Sequence, residues 1–217
     1  MYQIYLLFYL FIIFLKKYKY ILYKMNDIYN RIYNFVNYYY YKNLDYLGVS
    51  PSINKIIDNL YLSDHTVTYN KLLLDNLDID FIVNVSVDIP IWHTKEFIKV
   101  YINDISQDEH KFFQKMDYIV EEIHKRYSKN KKVLVHCRAG IQRSATVIAC
   151  YLLKYQPEIY LIHFNNFLEL DKNYKYNEYD ITDFIIKFIQ DKRKIAFTPY
   201  PHFYNVIKDY YNKYCRI

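Results

Sequence analysis

Cys137 and Arg143 stand near the two ends of one stretch, His136-Cys137-Arg138-Ala139-Gly140-Ile141-Gln142-Arg143-Ser144. A thiol is a nucleophile only as the thiolate. A free cysteine titrates near about 8.5, so about 3% is ionised at pH 7. The surroundings of this one favour the anion. The β-prone Val133-Leu134-Val135 precede it, and Ile148, Leu152 and Leu153 follow at helical spacing. A strand, a tight loop and a helix start therefore meet here. Loop amides and the first free N–H groups of a helix converge on one spot, and the helix dipole adds partial positive charge. Such settings bring cysteines to roughly 3.5–7.5. The same donors suit a dianionic phosphate, with amides on its oxygens and Arg143 as a planar clamp.

The neighbours of this pair have readable tasks. Gly140 is one of 2 glycines in the chain, and a positive φ that turns successive amides inward is its expected purpose. His136 can fix the loop backbone through a ring hydrogen bond. Ser144 can donate to the sulfur and ease its departure. The amides of Arg138, Ala139, Gly140, Ile141, Gln142 and Arg143 are the expected phosphate holders.

His136-Cys137-x-x-Gly140-x-x-Arg143-Ser144 resembles the phosphate-binding loop of the cysteine-dependent protein phosphatases, and Ser144-Ala145-Thr146 resembles the dual-specificity branch. That resemblance implies a general acid on a loop upstream of the cysteine. Asp104, in Tyr101-Ile102-Asn103-Asp104-Ile105-Ser106-Gln107-Asp108, stands at that place, with Asp108 as its rival. The chemistry calls for such a group, because an alcohol or phenol displaced from phosphorus must gain a proton. Asp104 would act as acid in the first step and as base in the second. The resemblance implies no metal and no organic cofactor. It covers about residues 53 to 214.

The elements that must position these groups follow from patterning. Residues 53 to 63 read as an opening strand or strand pair. His65 to Asn76 reads as a helix with Val67, Leu72 and Leu73 inward. Phe81-Ile82-Val83-Asn84-Val85 is an apolar run suited to a strand covered on both faces, and Phe97 to Ile102 is a further strand. Phe112, Phe113, Met116, Ile119, Val120 and Ile123 mark the core face of a helix over about 108 to 128. Phe184, Ile185, Phe188 and Ile189 mark another, ending at Arg193. Pro199-Tyr200-Pro201 is a rigid turn before a closing helix from Phe203 to Tyr214 that carries Val206, Ile207 and Tyr210. The expected fold is α/β: a central, mostly parallel sheet flanked by helices, with the site at the carboxyl end of a strand; the resemblance implies that it is phosphotyrosine-phosphatase-like of the dual-specificity type.

The 217 residues divide into an N-terminal apolar and Tyr/Asn-rich extension over 1–50 and a catalytic domain over 51–217, with an insertion near 157–179. Residues 1–15 are apolar apart from Gln3, and Lys16, Lys17 and Lys19 follow. Several readings stand side by side. One is a short signal-anchor giving membrane association through residues 1–24, although a span needs about 20 apolar residues. Another is a secretory signal, which lacks a basic start and a small-residue cleavage site. The others are an upstream extension before a working start at Met25, and a helix that packs on the domain or a partner.

The net charge of +6 suits acidic substrates without selecting among them. The 29 tyrosines accompany an excess of Asn, Ile and Lys, all encoded by A/T-rich codons, so they are read as genome bias and not as a nucleic-acid platform. Cys137, Cys150 and Cys215 suggest no disulfide framework, which fits a reducing, cytoplasmic compartment. The histidines show no metal-ligand spacing. The function the resemblance implies is hydrolysis of phosphotyrosine and phosphoserine/threonine in phosphorylated proteins through a cysteinyl-phosphate. The alternatives are an RNA 5′-phosphatase or phosphoinositide phosphatase of the same superfamily, and a phosphoprotein-binding module that does not turn over.

Overall fold

The computed structural model describes residues 52–163 and 178–215. The expectations for residues 1–50, and for most of the insertion, lie outside the described residues.

The chain enters through a hairpin. β1 (Ile53–Ile57) and β2 (Leu60–Ser63) pair antiparallel. Asn59 takes φ +59 at the turn, a conformation asparagine tolerates better than most residues. Three further strands follow: β3 (Phe81–Asn84), β4 (Glu96–Lys99) and β5 (Val133–His136). The five-stranded sheet has the order β1-β2-β5-β3-β4, and every pairing except the hairpin is parallel. The sheet is thus mixed and mostly parallel. β5 is its centre: His136 is in register with Ser63 on one side and Asn84 on the other.

Alternation along the central strands splits the apolar residues between two cores. Val133, Val135, Phe81 and Val83 face the larger one. Leu134 and Ile82 face a smaller one with Val67, Leu74 and Ile79. α1 (Lys71–Asn76) covers the smaller face. α2 (Glu109–Tyr127), α3 (Arg143–Tyr155), α4 (Glu178–Lys192) and α5 (Tyr204–Tyr214) build the larger one. Every residue of α3 from Arg143 to Leu153 is buried, so this helix is enclosed on all sides. Its entropy and desolvation costs are offset by apolar burial at roughly 25 cal/mol per Å².

Several elements differ from the patterning. Residues 65 to 76 are two pieces: a 3-10 turn at His65–Tyr69, then α1 capped by the Asn70 side chain, which accepts from the Leu73 N–H. That break rotates the apolar face. Leu72 is 76% exposed and Leu74 is buried in its place. β4 ends at Lys99, short of Ile102; the Val100 N–H still donates to the Asn84 carbonyl of β3 at 2.8 Å, and Val100 and Ile102 bury against the larger core. On α4, Ile181 and Ile186 join Ile185 and Ile189 in the core, while Phe184 and Phe188 are only partly buried. The apolar stripes of α2 and α5 match their patterning, with Phe113 half-buried at the edge. The described start of the insertion is helical over 158–163.

Candidate active site

β5 ends at His136, and α3 begins at Arg143. The loop between them has its backbone orientation set by the partners of its carbonyl groups. The Cys137 carbonyl oxygen accepts from His136 Nδ1 at 3.0 Å. That of Arg138 accepts from the His65 backbone N–H at 3.0 Å and lies 2.7 Å from His65 Nδ1. Ala139 and Gly140 offer theirs to Arg193, through Nη2 at 3.0 Å and Nε at 2.8 Å. Ile141 receives the Phe197 N–H at 2.9 Å, and Gln142 receives the N–H and hydroxyl of Thr146. Each carbonyl from 137 to 142 is therefore drawn outward by a named donor. The amides between them face the opposite way. Among the described residues, no loop or turn hydrogen bond is donated by the amides of residues 139 to 142. Backbone N–H groups left without protein partners seek an acceptor, and a concave run of them suits an anion.

Gly140 makes this turn with φ +66. A Cβ there would sit 2.4 Å from the Ser63 carbonyl oxygen and 2.8 Å from Arg193 Nη2. Both torsion and space require glycine. Cys137 lies at the bottom of the cup with 1% exposure. Ser144 Oγ, in the first turn of α3, donates to Cys137 Sγ at 3.2 Å. His136 is buried, and that burial pushes its imidazole down to about 3, so it is neutral and donates from Nδ1. Burial likewise lowers His65.

Arg143 is buried at the start of α3. Its Nη1 donates to the Ile102 carbonyl at 3.0 Å. Its Nε is buried without a hydrogen bond and faces Asp104 Oδ2 at 3.5 Å. An unfilled buried donor on a guanidinium beside a ring of amides is what a planar oxyanion would complete. Asp104 is thus brought to the rim of the loop. Its other oxygen, Oδ1, is 3.2 Å from His202 Nδ1.

Asp108, the rival acid, is turned away. It accepts the Asn103 backbone N–H at 2.8 Å and the Asn103 side-chain amide at 3.0 Å, with Lys111 3.6 Å off. Those contacts, the backbone N–H first, hold its carboxyl below the usual range. The Arg138 side chain points from the loop to Asp88, donating through Nε at 2.7 Å and through Nη2. Burial works to raise the Asp88 carboxyl, but the Arg138 guanidinium outweighs it and holds the group low. Gln142 contributes its side chain elsewhere: Nε2 donates to the carbonyls of Thr198 and Tyr200, and Oε1 accepts the His202 N–H.

The residues the patterning singled out around 104 and 136–144 are therefore gathered at one place. Arg193, His65 and His202 were not singled out. In sequence Arg193 is legible as the terminal arginine of a helix that resembles the family's C-terminal end, with no contact to the loop implied, and the two histidines carry no signal. Cys150 and Cys215 are free, and burial raises both thiols. Among the described residues there is no group of His, Cys, Asp or Glu arranged to hold a metal ion. No described helix is long and apolar enough to cross a membrane.

A cysteine-headed cup at the carboxyl end of the central parallel strand, closed by an arginine on a buried helix, defines the fold of the cysteine-based phosphatases. The chain belongs to the dual specificity phosphatase family: residues 60–213 match the model described as "Dual specificity phosphatase, catalytic domain". It is 34% identical over 107 residues to tyrosine-protein phosphatase vhp-1 of Caenorhabditis elegans, covering 48% of this chain and 16% of that protein. It is 33% identical over 120 residues to dual specificity protein phosphatase 14 of Homo sapiens, covering 54% and 60%. The matches thus span less than two thirds of either relative. Among solved structures, human DUSP28 superposes with a TM-score of 0.59 at 16% identity, covering 76% of this chain and 95% of that one. The Yvh1 phosphatase domain from Chaetomium thermophilum gives 0.59 at 20% identity, covering 75% and 96%. At those identities the structures speak for the fold alone.

Proposed function

We propose that the chain is a phosphoprotein phosphatase that hydrolyses phosphotyrosine and phosphoserine/threonine esters through a cysteinyl-phosphate. The observation that carries this reading is the outward capture of each carbonyl from Cys137 to Gln142, which leaves the amides around Cys137 Sγ with Arg143 beside them. The phosphoryl oxygens sit on those amides and on the Arg143 guanidinium. Cys137 Sγ, as thiolate, forms a bond to phosphorus while the bond to the ester oxygen breaks. The electron pair goes to that oxygen, and a proton reaches it from Asp104. Asp104, now a carboxylate, takes a proton from the water that attacks the cysteinyl-phosphate. The departing sulfur is stabilised by the Ser144 hydroxyl at 3.2 Å. The amides act on charge as it develops, where losing one donor typically costs about a hundredfold.

The inositol-lipid alternative asks for cations beyond Arg143 inside the cup. Arg138 is the only other basic residue of the loop, and it is engaged by Asp88 at the outer side. That engagement favours singly phosphorylated peptide side chains. The measurement is a panel of phosphotyrosine peptide, phosphothreonine peptide, inositol lipid and RNA 5′-phosphate with native protein and Cys137→Ser. Turnover of the peptides by the native chain and none by Cys137→Ser is expected. Peptide binding without turnover would instead establish the non-catalytic module. The same proposal takes residues 51–217 as the catalytic domain.

A further inference from the structure

Pro201-His202-Phe203 joins the proline turn to α5, and its histidine meets the acid loop. His202 Nδ1 is 3.2 Å from Asp104 Oδ1, across 98 positions of sequence. Neither side of this contact is loose. Next to His202, Phe203 is wholly buried and packs edge-on against Phe112 of α2, with ring centroids 5.1 Å apart. α2 is the helix that follows the Asp104 loop. The two loops are therefore stapled by Phe203, the residue that caps the start of α5, against Phe112 in the first turn of α2. The turn itself is fastened to the phosphate loop. Gln142, 3% exposed, donates to the Thr198 and Tyr200 carbonyls and accepts the His202 N–H at 3.0 Å. The circuit runs from the phosphate loop to the turn, through His202 to Asp104, and back to the phosphate loop through Arg143 Nε.

The two oxygens of Asp104 thus have different partners. Oδ2 faces Arg143, the guanidinium that turns to the phosphoryl group in the proposed mechanism. Oδ1 faces His202, which sits on a fixed turn. We propose that His202 is a positioning residue for the general acid: its Nδ1–H holds Oδ1, so Oδ2 is the oxygen that delivers the proton to the leaving group. The inference rests on the reading of Asp104 as the acid. A carboxyl with both oxygens loose must be ordered in every turnover, and misplacement of about 1 Å is costly to proton transfer. The tether removes that step. His202 touches neither sulfur nor phosphorus in this scheme.

The experiment compares kcat/KM for phenyl phosphate, whose leaving group needs a proton, and dinitrophenyl phosphate, whose leaving group departs without one. The variants are His202→Ala, His202→Asn, Asp104→Asn and the double variant His202→Ala with Asp104→Asn. Asn can place an amide N–H where Nδ1 stood, and any non-proline residue keeps the main-chain bond to Gln142. His202→Ala is expected to lose on the order of tenfold on phenyl phosphate, and several-fold less on dinitrophenyl phosphate. His202→Asn should recover most of that loss, and the double variant should be no slower than Asp104→Asn. Equal losses on both esters, or additive losses in the double variant, would overturn the tether. Thermal unfolding of each variant separates a folding defect, which lowers both esters alike and counts against the inference. If Asp104→Asn itself shows no ester dependence, the acid assignment fails, and that result is distinguishable from a failure at His202 alone.

Discussion

Arg193 Nε donates to the carbonyl oxygen of Gly140 at 2.8 Å from behind the phosphate loop. The same guanidinium reaches Ala139 O, Ser52 O, Ser52 Oγ and Asn54 Oδ1, all within 3.2 Å, while 2% exposed. Burial lowers its affinity for a proton, and the charges of Asp64 and Cys137 oppose that effect. It therefore joins the hairpin to the loop and fixes which way two peptide units face.

Removing that fork should cost more than one hydrogen bond, because the carbonyls of Ala139 and Gly140 both lose a charged donor. Arg193→Ala is expected to lower stability by about 3 kcal/mol or more in urea unfolding. Arg193→Lys restores the charge but cannot span both carbonyls, so its turnover of an aryl phosphate should stay at least about tenfold down. Native turnover in Arg193→Lys would show that the fork geometry is unimportant.

Gly140→Ala meets a backbone atom, not a flexible side chain, at 2.4 Å, and it places a Cβ on a φ of +66. Neither strain can relax without moving β2 or the loop. The expected outcome is loss of more than about 2 kcal/mol of stability together with loss of orthovanadate or phosphate binding. Calorimetric titration with phosphate reads the second, and retained affinity would contradict the assignment of this turn.

The two acid candidates separate cleanly. Asp104→Asn is expected to lower kcat/KM for phenyl phosphate by about a hundredfold or more, as for other general acids. Asp108→Asn should change it by less than about threefold, since Asp108 is spent on Asn103 and held as a carboxylate by it. The reverse pattern would move the acid to residue 108.

Acid sensitivity has a traceable source. Burial pushes His136 down to about 3 in the folded chain, against about 6.5 in an unfolded one. Between those values the unfolded state binds the extra proton, so stability falls as pH drops through the window. For this group alone the fall between pH 7.5 and 5.5 is about 1.4 kcal/mol. Burial of His65 and His93 steepens it. Urea midpoints at the two pH values measure the fall, and in His136→Gln it should shrink by about that amount. An unaltered slope in the variant would assign the acid sensitivity elsewhere.

The sequence by itself determined which groups the proposed chemistry can draw on. The nucleophile, glycine, arginine and hydroxyl lie within one strand-loop-helix, and local backbone geometry converts their spacing directly into proximity. Helix periodicity likewise placed the core faces of α2 and α5, because burial against one neighbour imposes a 3.6-residue rhythm. Only the tertiary structure decided what holds the cup in shape. Gly140 is forced as much by Ser63 as by its own torsion. Arg193 reaches the loop from 53 positions away, and His202 reaches Asp104 from 98. A lone polar residue leaves no periodic trace, so its partner is fixed only when the helices pack. The same cause moved the inward face from Leu72 to Leu74: the Asn70 cap, not the apolar pattern, set the phase of α1.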